Sequence, residues 1–391
     1  MKTLTLVLLT TTLAAAADTP PPVDWMARWQ RYIVADSRSR TCDKETGEEI
    51  GWLVSPYLDG FCYGYFATGD PVWIDRLADW TDSWTKRGIK EPDGFVGWPK
   101  ADGASTQVVP GLFTDNQLGE AMGLRPALVL AAAILKSPEL SAKYGDRAKA
   151  WIALAEQNFA KWDARGCWRQ LKVGGVWVVP TFGLDGKGGW TEGYARKGVD
   201  GFTLPANKQN YIARFELALF DATGKTIYRD RAEQWFQQFK SRWRTKPDTK
   251  FLVWNYWDPA GPWDYKPGGG TKHWVGVHPN GGYYLIDNEG IVAAYEHHLV
   301  FTETDIDQLI ITNRDFMWNQ KIQGAKFASI DAGLTDARWK DSPGVLWVPL
   351  VLYDDTLRQI FEANHKPDSW SGMGRTPWYV ALRLGKLPPG A

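Results

Sequence analysis

Trp73, Leu77, Trp80 and Trp84 stand at offsets of 0, 4, 7 and 11, which lie on one face of an α-helix. The same offsets recur at Trp151, Ala155, Asn158 and Trp162, then at Tyr228, Ala232, Trp235 and Phe239. A weaker copy follows at Ile306, Ile310, Asn313 and Met317. The starts are 78, 77 and 78 residues apart, so one structural unit repeats along the chain. No unit of this kind buries its apolar face alone, and neighbouring units must cover one another.

Each of these helices follows another apolar segment, at about 56–66, 116–135, 205–220 and 283–299. A fifth pair is expected from 345–361 and 378–384. Gly69-Asp70, Gly145-Asp146 and Gly224-Lys225 are read as turns between paired helices, because Gly ends a helix and permits a tight reversal. The unit is therefore a helical hairpin. Long segments rich in Gly, Trp, Pro and Asn separate the hairpins, at about 85–113, 163–204, 244–282 and 319–344. Short strands are expected near 176–181 and 251–254, without βαβ alternation or a sheet-based core. Hairpins with all their long loops at one end predict an all-α fold. The expected form is an α/α toroid, a complete or incomplete ring of about six to seven helical hairpins. Its cleft lies where the loops gather at the starts of the inner helices.

Residues 1–17 read as a signal peptide. Lys2 is followed by an apolar run at 4–13, too short to span a bilayer, and Ala15-Ala16-Ala17 offers a cleavage site. The expected product is one domain, 18–391, exported to a periplasm or secreted. No other segment reads as a membrane span. Lys plus Arg and Asp plus Glu both number 45, so a nucleic-acid partner is not expected. The chain is expected to act as a monomer. Cys42, Cys62 and Cys167 are an odd set without zinc-site spacing; Cys42 and Cys62 can pair in an oxidising compartment. The sequence holds no P-loop, dinucleotide fingerprint, GxSxG elbow or HExxH, and the expectation is no cofactor and no metal. The 23 Trp, 15 Tyr and 16 Phe either fill wide gaps between helices or stack on sugar rings in a cleft.

The starts of the first helices in each pair are unusually polar. One contains Asp115, Asn116 and Gln117; the next contains Asn207, Lys208, Gln209 and Asn210. Capping accounts for one residue at each start, which leaves amide side chains for a ligand. The third start runs Lys272-His273-Trp274-Val275-Gly276-Val277-His278-Pro279-Asn280-Gly281-Gly282-Tyr283-Tyr284 and holds two of only five His. His278 and Tyr284 are candidates for proton transfer: His titrates near neutrality, and Tyr serves as a base where cations lower its pKa. Trp254, Tyr256, Trp263 and Tyr265 are candidate aromatic liners, and Arg375 offers a bidentate contact to an anion. His297 and His298 are read as structural and His365 as a surface residue.

The segments LPANKQN and KHWVGVHPNGGYYLID, on an exported toroid with Asn, His and Tyr at inner-helix starts, resemble the toroidal polysaccharide lyases, most of all polysaccharide lyase family 38. The resemblance covers most of the chain after the signal peptide. It implies β-elimination on a 1,4-linked polyuronate such as alginate or glucuronan. By that resemblance, Asn207 or Asn210 neutralises the sugar carboxylate with help from His273 and Arg375. Tyr284 is the base and acid, with Tyr283 its nearest rival, and His278 either acts as a base or lowers the Tyr pKa. Asn116, Gln117, Gln209, Lys272, Tyr283, Trp254, Tyr256, Trp263 and Tyr265 fall to substrate binding. Toroidal alginate lyases of another family carry an adjacent Asn-His pair and an Arg shortly before the Tyr. Here neither Asn207 nor Asn210 has an adjacent His, and His278 stands where that Arg would be. The alternatives are an inverting glycoside hydrolase using Asp115, Asp264 or Asp287, a uronate epimerase, or a sugar-binding protein without catalysis.

Overall fold

The computed structural model describes residues 24–101, 113–178, 182–184, 190–192, 201–340 and 343–390. Residues 1–17, expected to be a signal peptide, and the Gly188-Gly189 pair lie outside the described residues.

All sixteen side chains of the repeated pattern are buried. They form the inward faces of α3 (Val72–Thr85), α5 (Pro138–Ala164), α7 (Thr226–Lys240) and α9 (Glu303–Ile311), the last continued by a π-turn at Thr312–Met317. The first three pack outside the helix that precedes them, α2 (Ser55–Thr68), α4 (Gln117–Lys136) and α6 (Ala206–Thr223); α9 follows α8 (Gly281–Glu296) and meets the segment at 348–352. The inner helices touch in chain order, α2 on α4, α4 on α6 and α6 on α8.

The ring is completed by pieces that the repeat does not announce. A 3-10 segment at Val348–Leu352 takes the next inner place against α8, with α10 (Asp355–Asn364) behind it. The last helix, α11 (Gly372–Arg383), packs on α2 and closes the ring. Its outer partner is α1 (Trp25–Asp36), from the opposite end of the described chain. Six inner–outer pairs result, and the fold is an α/α toroid. The expected fifth pair is corrected: 345–361 is itself a 3-10 segment paired with a separate helix, and 378–383 belongs to α11, whose partner is α1.

Local chemistry explains the boundaries. Asn116 caps α4 through Gly119 N–H at 3.0 Å, Asn280 caps α8 through Gly282 N–H at 2.9 Å, and Asp354 caps α10 through Leu357 N–H at 2.8 Å. Helices α2 and α6 end at Gly69 and Gly224, whose φ of 73° and 72° are left-handed. The expected turn at Gly145 is corrected: α5 runs through it. The reversal comes earlier, where Ser137 caps α5 and Pro138 fills its first position.

Large aromatic side chains fill the space between inner and outer helices. Trp29, Trp84, Trp98, Trp162, Trp177, Trp235, Trp254, Trp257 and Trp347 are fully buried. Most of the tryptophan surplus is therefore core rather than cleft. Helix α4 is long and apolar enough to cross a membrane, but it is mostly buried among its neighbours. Cys42, Cys62 and Cys167 are buried free thiols. The strands are short and antiparallel, such as Trp168–Gln170 with Gly175–Trp177 and Arg244–Thr245 with Leu252–Val253. They sit in the connections that run from each outer helix to the next inner one. Those connections gather at one end of the ring, where the inner helices begin.

Candidate functional site

At that end, the starts of α6 and α8 and the loops before them enclose a cleft of about 160 Å³. Its lining includes Asn207, Lys208, Tyr256, His273 and Tyr283, with Glu48, Trp52 and Phe202 completing the wall. Sequence reading singled out Asn207, Tyr256, His273 and Tyr283, and the fold brings these four together.

Asn207 sits in the first turn of α6 and is only 1% exposed. Neither its amide nitrogen nor its oxygen has a hydrogen-bond partner among the described residues. A buried, unsatisfied amide is costly, so an unpaired one on a cleft wall is a group waiting for a polar ligand. The aromatic wall is built by stacking. Tyr283 lies on Tyr256 with centroids 5.3 Å apart and rings inclined by 24°, and Tyr256 lies on Trp274 at 5.7 Å and 15°. His278 packs against Tyr283 at 4.6 Å and Tyr256 at 4.8 Å. His273 stacks on Phe202 with an inclination of 7°.

The tautomer of His278 is set by the backbone. Its Nδ1 accepts from Asn280 N–H at 2.9 Å, which leaves Nε2 to carry the proton in the neutral ring. Burial, then the nearby His273, lowers its pKa. Lys272, beside His273, is half-buried, and its backbone N–H donates to the Asp264 carbonyl at 2.8 Å.

Sequence reading missed Glu48 and Lys208. The Lys208 ammonium donates to both Glu48 oxygens, at 2.9 and 3.0 Å. Trp52 Nε1 and Asn116 Nδ2 also donate to that carboxylate, at 2.9 and 3.1 Å. Lys208 was visible within the polar start of α6. Glu48 belongs to no repeat and reaches the site from 160 residues away, so nothing local marks it. Asn116 therefore caps α4 and holds Glu48, rather than lining the cleft itself. Gln117 is buried in the same turn, and its side-chain oxygen has no partner among the described residues.

Several expectations are corrected. Tyr284 is 3% exposed and belongs to the core, where its hydroxyl accepts from the His278 backbone N–H at 2.8 Å. Burial pushes its pKa up, opposite to what a base needs, although the His278 N–H partly offsets this. The cleft-lining tyrosine of the pair is Tyr283. Asn210 is buried and fully engaged, donating to Asp287 at 2.6 Å and accepting from Trp235 Nε1 at 2.8 Å. Gln209 clamps Trp177, accepting from its N–H at 2.9 Å and donating to its carbonyl at 2.8 Å. Trp254 is a core residue that donates to Asp287 at 2.8 Å. Trp263 is tied to Thr203 at 3.0 Å, and Tyr265 is exposed outside the cleft. Arg375 faces a different cavity, beyond the other side of α8. His365 is no surface residue: it is half-buried against Trp25 and Phe361 and bonded to Thr376 at 2.8 Å. His297 is structural as expected, bonded to Asp221 at 3.1 Å.

The three carboxylates of the hydrolase alternative are each committed to the scaffold. Asp264 accepts from Thr203, Ala260 and Gly261. Asp287 is held by Asn210 and Trp254, and burial pushes its pKa up to about 7 against those hydrogen bonds. Asp115 is buried, which alone would raise its pKa, but Lys161 and Arg165 hold it below the usual carboxylate range. Among the described residues that line the cleft, Glu48 is the only carboxylate.

No protein-family model matches the chain, and no curated protein matches it. Among solved structures, the unsaturated glucuronyl hydrolase from Bacillus sp. GL1 shares 15% identity over 86% of this chain and 78% of its own, with a TM-score of 0.47. Cellobiose 2-epimerase from Bacillus thermoamylovorans B4167 shares 9% identity over 91% of this chain and 85% of its own, with a TM-score of 0.49. A D-mannose isomerase shares 12% identity over 86% and 75% of the two chains, with a TM-score of 0.43.

Proposed function

We propose that this chain is an exported polysaccharide lyase that cleaves a 1,4-linked polyuronate by β-elimination. The observation that carries the reading is the buried amide of Asn207, unpaired among the described residues, in one cleft with Tyr283, which His278 backs; the described lining holds no carboxylate pair. In this reaction a base removes the proton from C5 of a uronate. Electrons flow into a C4=C5 double bond, the bond from C4 to the glycosidic oxygen breaks, and that oxygen takes up a proton. The developing negative charge spreads onto the neighbouring carboxylate. Preorganised donors that meet that charge lower the barrier without a metal.

Asn207 supplies such a donor, and binding the carboxylate satisfies an amide that the described residues leave unpaired. Lys208 adds positive charge at the same wall, moderated by Glu48. Tyr283 takes the C5 proton and returns a proton to the leaving oxygen. His278, whose Nδ1 is engaged by the Asn280 N–H, acts as a donor through Nε2–H that steadies the charge moving through this site. The stacked rings of Tyr256 and Trp274 offer a flat surface for a sugar face. An inverting hydrolase needs two carboxylates spaced to admit a water, and the cleft's described lining supplies one that is already ion-paired.

The deciding experiment incubates the purified protein with polymannuronate, polyguluronate and glucuronan. It follows the ultraviolet absorbance of the unsaturated uronate and the product mass. Products lighter by one water than hydrolytic fragments support the lyase. Saturated fragments would assign a hydrolase, and an unchanged polymer with altered C5 stereochemistry would assign an epimerase.

A further inference from the structure

A larger cavity lies elsewhere in the toroid. Between α8 and α11 the inner ring holds only the short 3-10 segment 348–352 where another inner helix would stand, and a cavity of about 620 Å³ opens there. That volume is ordinary for a small-molecule site. Its walls come from the start of α8 (Gly282, Leu285), the end of α10, the start of α11 and the loops at 325–327, 339–340 and 344–346. All of these belong to the loop end of the ring, so the cavity opens on the same side as the cleft. Gly282 lines the cavity and the next residue, Tyr283, lines the cleft; one turn of α8 separates them.

The chemistry of the lining is one-sided. Lys326, Lys340, Lys366 and Arg375 all line this space, and no described lining residue is acidic. In a chain with 45 cations and 45 anions, that separation is a local choice. The three lysines are exposed and form no salt bridge among the described residues. Arg375 is half-buried, makes no hydrogen bond among the described residues, and feels Glu289 only through space. Burial, with Arg375 and Arg28 nearby, lowers His365 to about 4, so it adds no charge near neutrality. Trp339 gives the wall an aromatic ring, fixed by its Nε1 bond to the Met317 carbonyl at 2.7 Å and covered on one face by Arg338 at 3.9 Å.

We propose that this cavity is a second carbohydrate site, which binds an anionic sugar unit of the same polymer whose scissile bond lies in the Asn207 cleft. Carboxylates of the sugar pair with Lys326, Lys340, Lys366 and Arg375, and the polymer crosses the first turn of α8 between the two openings. The inference rests on the polyuronate reading and adds to it a length requirement: short oligomers fill the cleft alone, longer ones also reach the cavity.

The test is calorimetric titration of oligomannuronates and oligoglucuronates of increasing length into the wild-type chain and into a Lys326→Ala, Lys340→Ala, Lys366→Ala triple variant. Neutral cello-oligosaccharides and inorganic phosphate serve as the other titrants. All three lysines are exposed, so the variant should keep the wild-type melting temperature. The expected result is a roughly tenfold loss of affinity for long oligouronates, the sum of three modest exposed charge pairs, with the shortest oligomers unaffected. The wild-type affinity for long oligomers should also fall more steeply with salt. Equal affinity of both proteins at every length overturns the inference, as does lysine-dependent binding of phosphate without any for sugar, or no binding of oligouronates at all. Lysine-dependent binding without turnover sinks the lyase reading alone. Turnover with lysine-independent binding sinks this inference alone.

Discussion

Replacing Tyr283 and Tyr284 by Phe, one at a time, separates a chemical role from a structural one at adjacent positions. Each change removes one hydroxyl and keeps the ring. Tyr283 lines the cleft against His278 and Tyr256, so Tyr283→Phe removes the group that moves the C5 proton. General acid–base catalysis contributes roughly 10²–10⁴-fold, and turnover should fall by that factor. The stacked ring survives, so KM and unfolding midpoint should change little. Tyr284→Phe acts on another quantity. Its hydroxyl is the acceptor for the His278 N–H, and the site is buried. Losing it leaves that N–H unpaired, at about 1–3 kcal/mol. The denaturation midpoint should drop accordingly, with a turnover loss well below that of Tyr283→Phe. Initial rates by ultraviolet absorbance and urea unfolding of the same preparations give both numbers. If Tyr284→Phe abolishes turnover at unchanged stability while Tyr283→Phe leaves it intact, the assignment made from burial is refuted.

Asn207→Ala should lower kcat without a matching loss of stability, because the amide is unpaired among the described residues; Asn210→Ala should do the reverse, since it breaks bonds to Asp287 and Trp235. Rates and melting curves for the two variants decide this. Activity should fall on the acid side with an apparent pKa below the ordinary His value of 6.5, because burial and His273 favour neutral His278; a kcat/KM profile flat down to pH 4 would remove His278 from the mechanism. Glu216 is buried with one oxygen unpaired, and burial pushes its pKa up from 4.5 to about 8. The folded state therefore favours its protonated form, and the stability this gives is full below about 4.5 and is lost as pH rises through about 8. Urea unfolding across that range should show the decline in the wild type and less of it in Glu216→Gln. Finally, a Cβ on Gly119 would lie 2.0 Å from the Gly47 carbonyl oxygen. Gly119→Ala should destabilise the fold by about 1–3 kcal/mol and weaken the neighbouring Glu48–Lys208 pair, raising KM in the same assay.

The ring was legible because burial forces periodicity. An outer helix presents one stripe inward, and the spacing of Trp73, Leu77, Trp80 and Trp84 is the trace of that stripe. The inner helices leave no such trace. Helix α4 is buried on nearly every side, so its apolar residues lose their period. The last third was less legible for a related reason. The segment 345–361 is apolar throughout, but Pro349 near the start of its 3-10 turn and the Asp354 cap divide it into two elements. The sixth pair joins α1 to α11 across the whole length of the chain, and no spacing within a sequence expresses that.

The site was legible in residue type and not in direction. Successive residues on a helix point about 100° apart. Of two adjacent tyrosines, one faces the cleft, and the sequence is symmetric between them. What breaks the symmetry is distant: Trp254, itself backed by Trp347, packs on the Tyr284 ring, while Tyr256 stacks on Tyr283. The same holds one helix earlier. Asn207 and Asn210 are three residues apart and nearly share a face, yet Asp287 and Trp235 capture the second and no described residue captures the first. An amide that the fold satisfies is scaffold; an amide of the same type that the fold leaves open is available to a ligand. The distinction rests on partners from other helices, and it is the one by which Asn207 rather than Asn210 becomes the residue to mutate first.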